Sequence, residues 1–333
     1  MSSPAKRQRT ENASITRENA PIKHSDLWID DGNVVLQAGN IQFRVHWGVL
    51  ARNSSIFRGM RGLPQPLEQP SVEGCLVVEL SDDPSDVEYL LNTLYTPSAL
   101  FDLFGRRALT SDCRTFVEQK RLPLPVVGAL IRLGRKYDFK ALLDSAVARV
   151  SAECPTTLAE YDKVPLTFKT IEWYRGAEFD LLALVSENNM FAALPCACYH
   201  VVYSVGTPAE FFDGILKEDG TRTSLSHVDL RRCVLGHHKL VLKQFEPGYL
   251  FGWTRKWEYN DCTSSVVCGT SREVVLETYM EDHDVWALTN PSCLSENEFC
   301  TACTEHVTEC IAIGRKNMWE ELPEIFDLPG WIS

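Results

Sequence analysis

The sequence predicts an α+β protein: a small mixed sheet capped by helices, followed by a mostly helical C-terminal region. Three observations carry that prediction. Between His24 and Val45, β-branched and aromatic runs alternate with Asp-Gly and Gly-Asn turns, the mark of short strands. From Val49 the apolar period becomes helical, and a strand pattern and a helical pattern then follow once more before residue 96. Beyond Pro125 the apolar residues recur at helical spacing.

Residues 1–23 are polar, have no apolar period and are read as a disordered arm. Within it Lys6, Arg7 and Arg9 read either as a basic import signal or as a solvated tail. Leu27-Trp28-Ile29, Val34-Val35-Leu36 and Ile41-Gln42-Phe43-Arg44-Val45 are three strands, expected as two hairpins around Gly32 and Gly39. Val49, Leu50, Ile56, Phe57 and Met60 make one helical run, ended by Gly62, Pro64 and Pro66. Leu76–Leu80 is a strand, and the acids of Ser81–Asp86 start a helix with Val87, Leu90, Leu91, Leu94 and Tyr95 on its buried stripe.

Residues 97–122 have clustered charges and no period, so they read as an insertion. Two helices follow, on Val126–Tyr137 and Leu142–Val150, and the unit of residues 24–153 closes at Cys154-Pro155. A helical region is expected over residues 154–260, with helices at Phe179–Glu187, Pro195–Val205, Pro208–Lys217 and Ser226–Leu235. Residues 261–333 form a Cys-rich helical end anchored by Trp319 and Trp331.

The run Phe43-Arg44-Val45-His46-Trp47-Gly48-Val49-Leu50-Ala51-Arg52-Asn53-Ser54-Ser55-Ile56-Phe57, preceded by Asp26 and followed by the Val78–Leu80 strand and the helix ending at Tyr95, resembles the BTB/POZ domain. The whole chain is also similar to the large set of BTB-containing proteins of mushroom-forming fungi, which share a helical C-terminal half. The resemblance implies a protein-protein interaction module that pairs with itself or with related chains. It places Asp26 and His46 at polar positions near the pairing surface, Leu50, Phe57 and Tyr95 in supporting core, and Phe43, Trp47 and Ser54 within the signature. Trp47 stands where many BTB domains carry Arg or Lys, so a charged Asp–Arg pocket is not carried over. In the ubiquitin-ligase adaptors of the family, a hydrophobic-x-Glu segment meets a cullin; here it reads Gly62–Pro70 with Pro66 at the hydrophobic place, so a cullin is not indicated as partner.

Bulk properties narrow the function. A chain of 333 residues, 44% apolar and 23% charged, folds into more than one core. Its longest apolar stretches, Leu181–Val185 and Val201–Val205, are too short for a membrane span, and no apolar run follows the N-terminal charges, so an intracellular protein, nuclear or cytoplasmic, is expected. The net charge is −12 although residues 1–23 are basic, so the body repels phosphate backbones and direct nucleic-acid binding is not expected.

Twelve cysteines in such a chain are free, buried or metal-bound. Cys262 and Cys268, with the C-x-x-C pair Cys300 and Cys303, form a candidate structural zinc site, with Cys293 and His306 as substitutes; the alternative is ordinary buried thiols. Cys196, Cys198 and His200 invite a cysteine–histidine nucleophile, but they sit in an apolar helical run without an oxyanion-hole signature, and no common catalytic motif is present. The sequence therefore predicts a non-catalytic adaptor, with a zinc-stabilised nuclear transcription or chromatin regulator and a ubiquitin-ligase substrate adaptor as the alternatives.

Overall fold

The computed structural model describes residues 21–60, 62, 70–95, 121–255, 260–281, 284–290 and 298–331. The chain divides into two compact units, Met1–Tyr95 and Thr96–Ser333.

In the first unit, β1 (Lys23–Trp28), β2 (Val34–Ala38), β3 (Ile41–Val45), β4 (Ser71–Val72) and β5 (Cys75–Leu80) form one mixed sheet in the order β1-β3-β2-β5-β4. β2 and β3 are the hairpin expected around Gly39, whose φ of +54° is one that side-chain-bearing residues rarely adopt. β5 runs parallel to β2, and β4 adds a two-residue outer edge.

The expected first hairpin is not formed. β1 lies parallel to β3, not antiparallel to β2. The intervening turn carries the chain over the end of β3: the Ile29 N–H donates to the Arg44 carbonyl at 3.0 Å, and the Asn33 N–H to the Val45 carbonyl at 2.9 Å. Gly32 is needed here for close approach, since a Cβ would stand 2.9 Å from both Arg44 Cγ and the Ile29 carbonyl oxygen.

The single helix expected from Val49 to Met60 is two, α1 (Trp47–Asn53) and α2 (Ser55–Met60), parted by Ser54 in an extended conformation. The Ser54 hydroxyl accepts the Phe57 N–H at 3.0 Å, giving the second helix its start. α3 (Pro84–Tyr95) begins beyond Asp83, whose carboxylate accepts the Ser85 N–H, and buries Val87, Leu90 and Leu91 as its period predicts. Phe43, Leu50 and Phe57 are fully buried, each contributing roughly 1.5–3 kcal/mol by leaving water.

The second unit is helical, with one small hairpin. Its elements are α4 (Leu124–Tyr137), α5 (Lys140–Glu153), α6 (Leu158–Tyr161), α7 (Ala177–Glu187), α8 (Leu194–Ser204), α9 (Pro208–Asp213), β6 (Ile215–Leu216), β7 (Arg222–Thr223), α10 (His227–Lys243), α11 (Gly252–Arg255), α12 (Ser265–Glu281) and α13 (Thr301–Ile325). α4 packs on α5 and α7, while α8 meets α7, α10 and α13. The helix expected over Pro208–Lys217 stops at Gly214, and its last residues pair as β6 with β7. His237 and His238 lie inside α10, where the His237 ring meets Phe211 edge-on. Leu322 and Pro323 are helical, both falling inside α13. Trp319 does anchor the C-terminal end: its indole N–H donates to the Thr156 carbonyl, and its ring stacks on Trp331.

A buried carboxylate ties α5 to the chain that follows it. Glu153, fully buried, accepts the N–H groups of Lys169, Thr170 and Ile171 at 2.8, 2.5 and 3.1 Å and the Thr170 hydroxyl at 2.6 Å. One turn earlier, Arg149 donates to the Thr170 carbonyl at 2.8 Å, and burial pulls its guanidinium down to about 10 although Glu153 opposes the shift. This holds Leu122 beside Ile171 in a short parallel bridge just ahead of α4. Glu153→Ala orphans the two buried amides of Thr170 and Ile171 and removes the carboxylate charge beside the buried Arg149, so a loss of about 3–5 kcal/mol is expected in denaturant unfolding of the full chain. A loss below about 1 kcal/mol would contradict this role.

Candidate functional site

In the first unit the signature residues gather at the junction of β3, α1 and α3. His46 ends the strand and precedes α1, and its backbone N–H donates to the Tyr95 hydroxyl at 2.6 Å. The same hydroxyl lies 3.4 Å from His46 Nδ1, while His46 Nε2 is 3.2 Å from Asp31 Oδ1. Burial raises the Tyr95 hydroxyl above its ordinary pKa, the bond from His46 opposes that rise, and Asp31 adds to it. Tyr95 thus satisfies an amide at a helix start where the N-cap residue, His46, makes no capping bond with its own side chain.

Trp47 is half-buried and packs edge-on against Phe57, with ring centroids 6.0 Å apart. Its backbone N–H donates to Asn33 Oδ1 at 2.8 Å, which pins the turn after Gly32 to the start of α1. The structure therefore brings together His46 with Tyr95, and Trp47 and Ser54 with Phe57, while Phe43 and Leu50 are core. Asn33 and Asp31, which complete the arrangement, are residues that turn chemistry alone accounts for in the sequence.

Asp26 occupies another place, exposed on the outer strand β1. β1 ends the sheet, and its outer side pairs with no strand among the described residues. The opposite edge is the two-residue β4, so the longer open side of the sheet is that of the six-residue β1. His24 and Trp28 stack on this strand with centroids 3.8 Å apart, and Ile22, just before it, is 56% exposed. An edge of this length, with the exposed Ile22 beside it, is a template for another strand.

Residues 29–114 match the family model of the BTB/POZ domain. The BTB/POZ domain is a protein-protein interaction module, and the match covers β2 to α3 and the His46–Tyr95 junction, beginning just after β1. A search of the curated proteins finds no match to the chain. Two expectations tied to the BTB/POZ resemblance, the insertion near 97–122 and the cullin-contacting segment, fall largely outside the described residues, as do Lys6, Arg7, Arg9 and Cys293.

The second unit holds two thiol groupings. Cys154, Cys196 and His200 lie with ligand atoms within 4.8 Å of one another. Cys196 is fully buried on α8, where burial raises its thiol but Cys154 and His200 draw it down to about 6. The same contact, with the Glu153 carbonyl 2.8 Å from His200 Nε2, pushes His200 up to about 9 against the effect of burial. Cys198 faces Cys233 instead, so the three residues that alternate in sequence do not act as one group. A cleft of about 510 Å³ touches Cys154, with Arg135, Met190 and Phe191 on its walls; Cys196 and His200 do not line it.

The other grouping is Cys262, Cys268, Cys300 and Cys303, four sulfurs all within 4.8 Å of one another. The Cys300 N–H donates to Cys268 Sγ at 3.2 Å. Hydrogen bonds from the Thr263 side chain and backbone hold the Cys300 thiol down to about 5, while burial raises those of Cys268 and Cys303. The cysteines paired by sequence are thus brought to one point in space.

Removing the Tyr95 hydroxyl tests the junction in the first unit. Tyr95→Phe is expected to cost about 1–3 kcal/mol in unfolding, since the His46 amide loses its acceptor. An unchanged transition would show that solvent replaces that bond at no cost.

Proposed function

We propose that the chain is a non-catalytic adaptor that associates with a second copy of itself, or with related chains, through the outer edge of β1. The unpaired length of β1 beside the BTB/POZ match is the observation that carries this reading. Lys23 and Asp26, of opposite charge, are both exposed on this strand, so a second copy meets no like-charged row there. The helical second unit, in keeping with the likeness to proteins of mushroom-forming fungi, acts as scaffold or second binding surface. Among the described residues no helix is long and apolar enough to cross a membrane, which suits a partner met in aqueous solution.

A zinc-stabilised nuclear regulator is a second reading, favoured by the four converging thiols. It places Lys6, Arg7 and Arg9 in nuclear import, and exclusion of the tagged full chain from the nucleus would remove it.

Sedimentation of the full chain tests the first reading. A reversible dimer is expected at micromolar concentration, and Leu27→Lys, which puts a charge in the edge strand, should weaken it at least tenfold, about 1.4 kcal/mol, with little change in thermal unfolding. A chain monomeric throughout that range, or a variant that pairs as tightly as the native chain, would overturn it.

A further inference from the structure

Two helices begin beside the same four sulfur atoms. Cys262 lies in the turn before α12 and Cys268 in its first turns, while Cys300 caps α13 and Cys303 follows on its first turn. Cys268 and Cys303 are fully buried; Cys262 and Cys300 are partly accessible, as the rim of a site that an ion can enter would be. We infer that these four cysteines hold one zinc ion as a structural tetrathiolate site.

The geometry suits that ion. Tetrahedral zinc with metal–sulfur bonds of about 2.3 Å sets neighbouring sulfurs roughly 3.8 Å apart, and all six sulfur pairs here fall within 4.8 Å. Packing alone accounts for single buried thiols such as Cys75 but not for four from two distant segments all meeting one another. The electrostatics agree. A zinc tetrathiolate carries two negative charges, and it would sit at the N-termini of helices of 17 and 25 residues, each presenting partial positive charge. The bond from the Cys300 amide to Cys268 Sγ is the kind of outer contact that stabilises a metal-bound thiolate.

The fold also has use for such a tie. α12 buries only a thin stripe, Cys268, Ser271 and Val275, while Val266, Val267, Val274 and Met280 remain exposed along it. Its inner side joins an aromatic cluster with Phe251, Trp253 and Val307, and the metal would clamp the near end of that cluster to α13. Four sulfurs complete the coordination shell and leave no position for a substrate, so the site is structural. The Cys154–Cys196–His200 grouping is the weaker candidate: it offers three donors, and the His200 Nε2 already faces the Glu153 carbonyl.

The test is metal analysis of the full chain, purified untagged under reducing conditions. One zinc per chain is expected, released by a mercurial that titrates thiolates, and exchange with cobalt should give the absorption of a tetrahedral four-sulfur site. Cys262→Ser with Cys300→Ser should abolish stoichiometric zinc and Cys154→Ser should retain it. Chelation should raise amide hydrogen exchange in α12 and the start of α13 first. A metal-free chain that takes up no zinc when titrated, or a cobalt spectrum without four sulfur ligands, would overturn the inference. So would zinc lost in Cys154→Ser but kept in the double variant. Should the double variant fail to fold, the cobalt spectrum of the native chain decides the matter alone.

Discussion

A strand at the end of a sheet has donors and acceptors on one side that must find water or another chain, and that constraint organises the first unit. Its sheet leaves the outer side of the six-residue β1 without a partner strand at one end and that of the two-residue β4 at the other, among the described residues. The asymmetry follows from the path of the chain. Because the turn after Ile29 crosses the end of β3, β1 is delivered to the far side of that strand, parallel to it, with its outer side open. Gly32 permits the crossing and Asn33 fastens it to Trp47, so the residues that set the edge also set the start of α1.

The same junction reaches the end of α3 through Tyr95. One hydroxyl satisfies the first amide beyond β3, which couples the sheet edge to the helix that closes the unit. Trp47 lies half-buried against Phe57, so its ring takes part in the packing of α1 on α2. The second unit is held by different means: a buried carboxylate at the end of α5, aromatic packing around Phe251, and a meeting of thiols where α12 and α13 begin.

Much of this was legible in the sequence, and the misses have physical causes. Val87, Leu90 and Leu91 at helical spacing, and Phe43 and Val45 two apart on a strand, specify buried faces directly, and the structure has them buried. Phe43, His46, Leu50, Ser54 and Phe57 were recognisable as a set because their spacing follows the packing of β3 against α1 and α2. Strand direction was not legible: a turn with Asp-Gly serves a hairpin and a crossover alike, and the difference lies in the contact of Gly32 with Arg44. The break at Ser54 was missed because the apolar period runs through it unbroken, while a single hydroxyl bond to Phe57 starts a new helix. Arg149 and Glu153 have no signal of their own in the sequence, and the tertiary path of Lys169–Ile171 buries them. The convergence of Cys262 and Cys268 with Cys300 and Cys303 was visible as a pattern of residue types, though the spacing of the first pair is wider than the usual motif.

Amide hydrogen exchange of the full chain at low and high protein concentration tests the central claim, that β1 is where another polypeptide attaches. The account predicts that protection rises with concentration in Lys23–Trp28 and hardly at all in β2 and β3, which are already paired. Association that leaves the β1 amides exchanging as freely as in the dilute chain would contradict it.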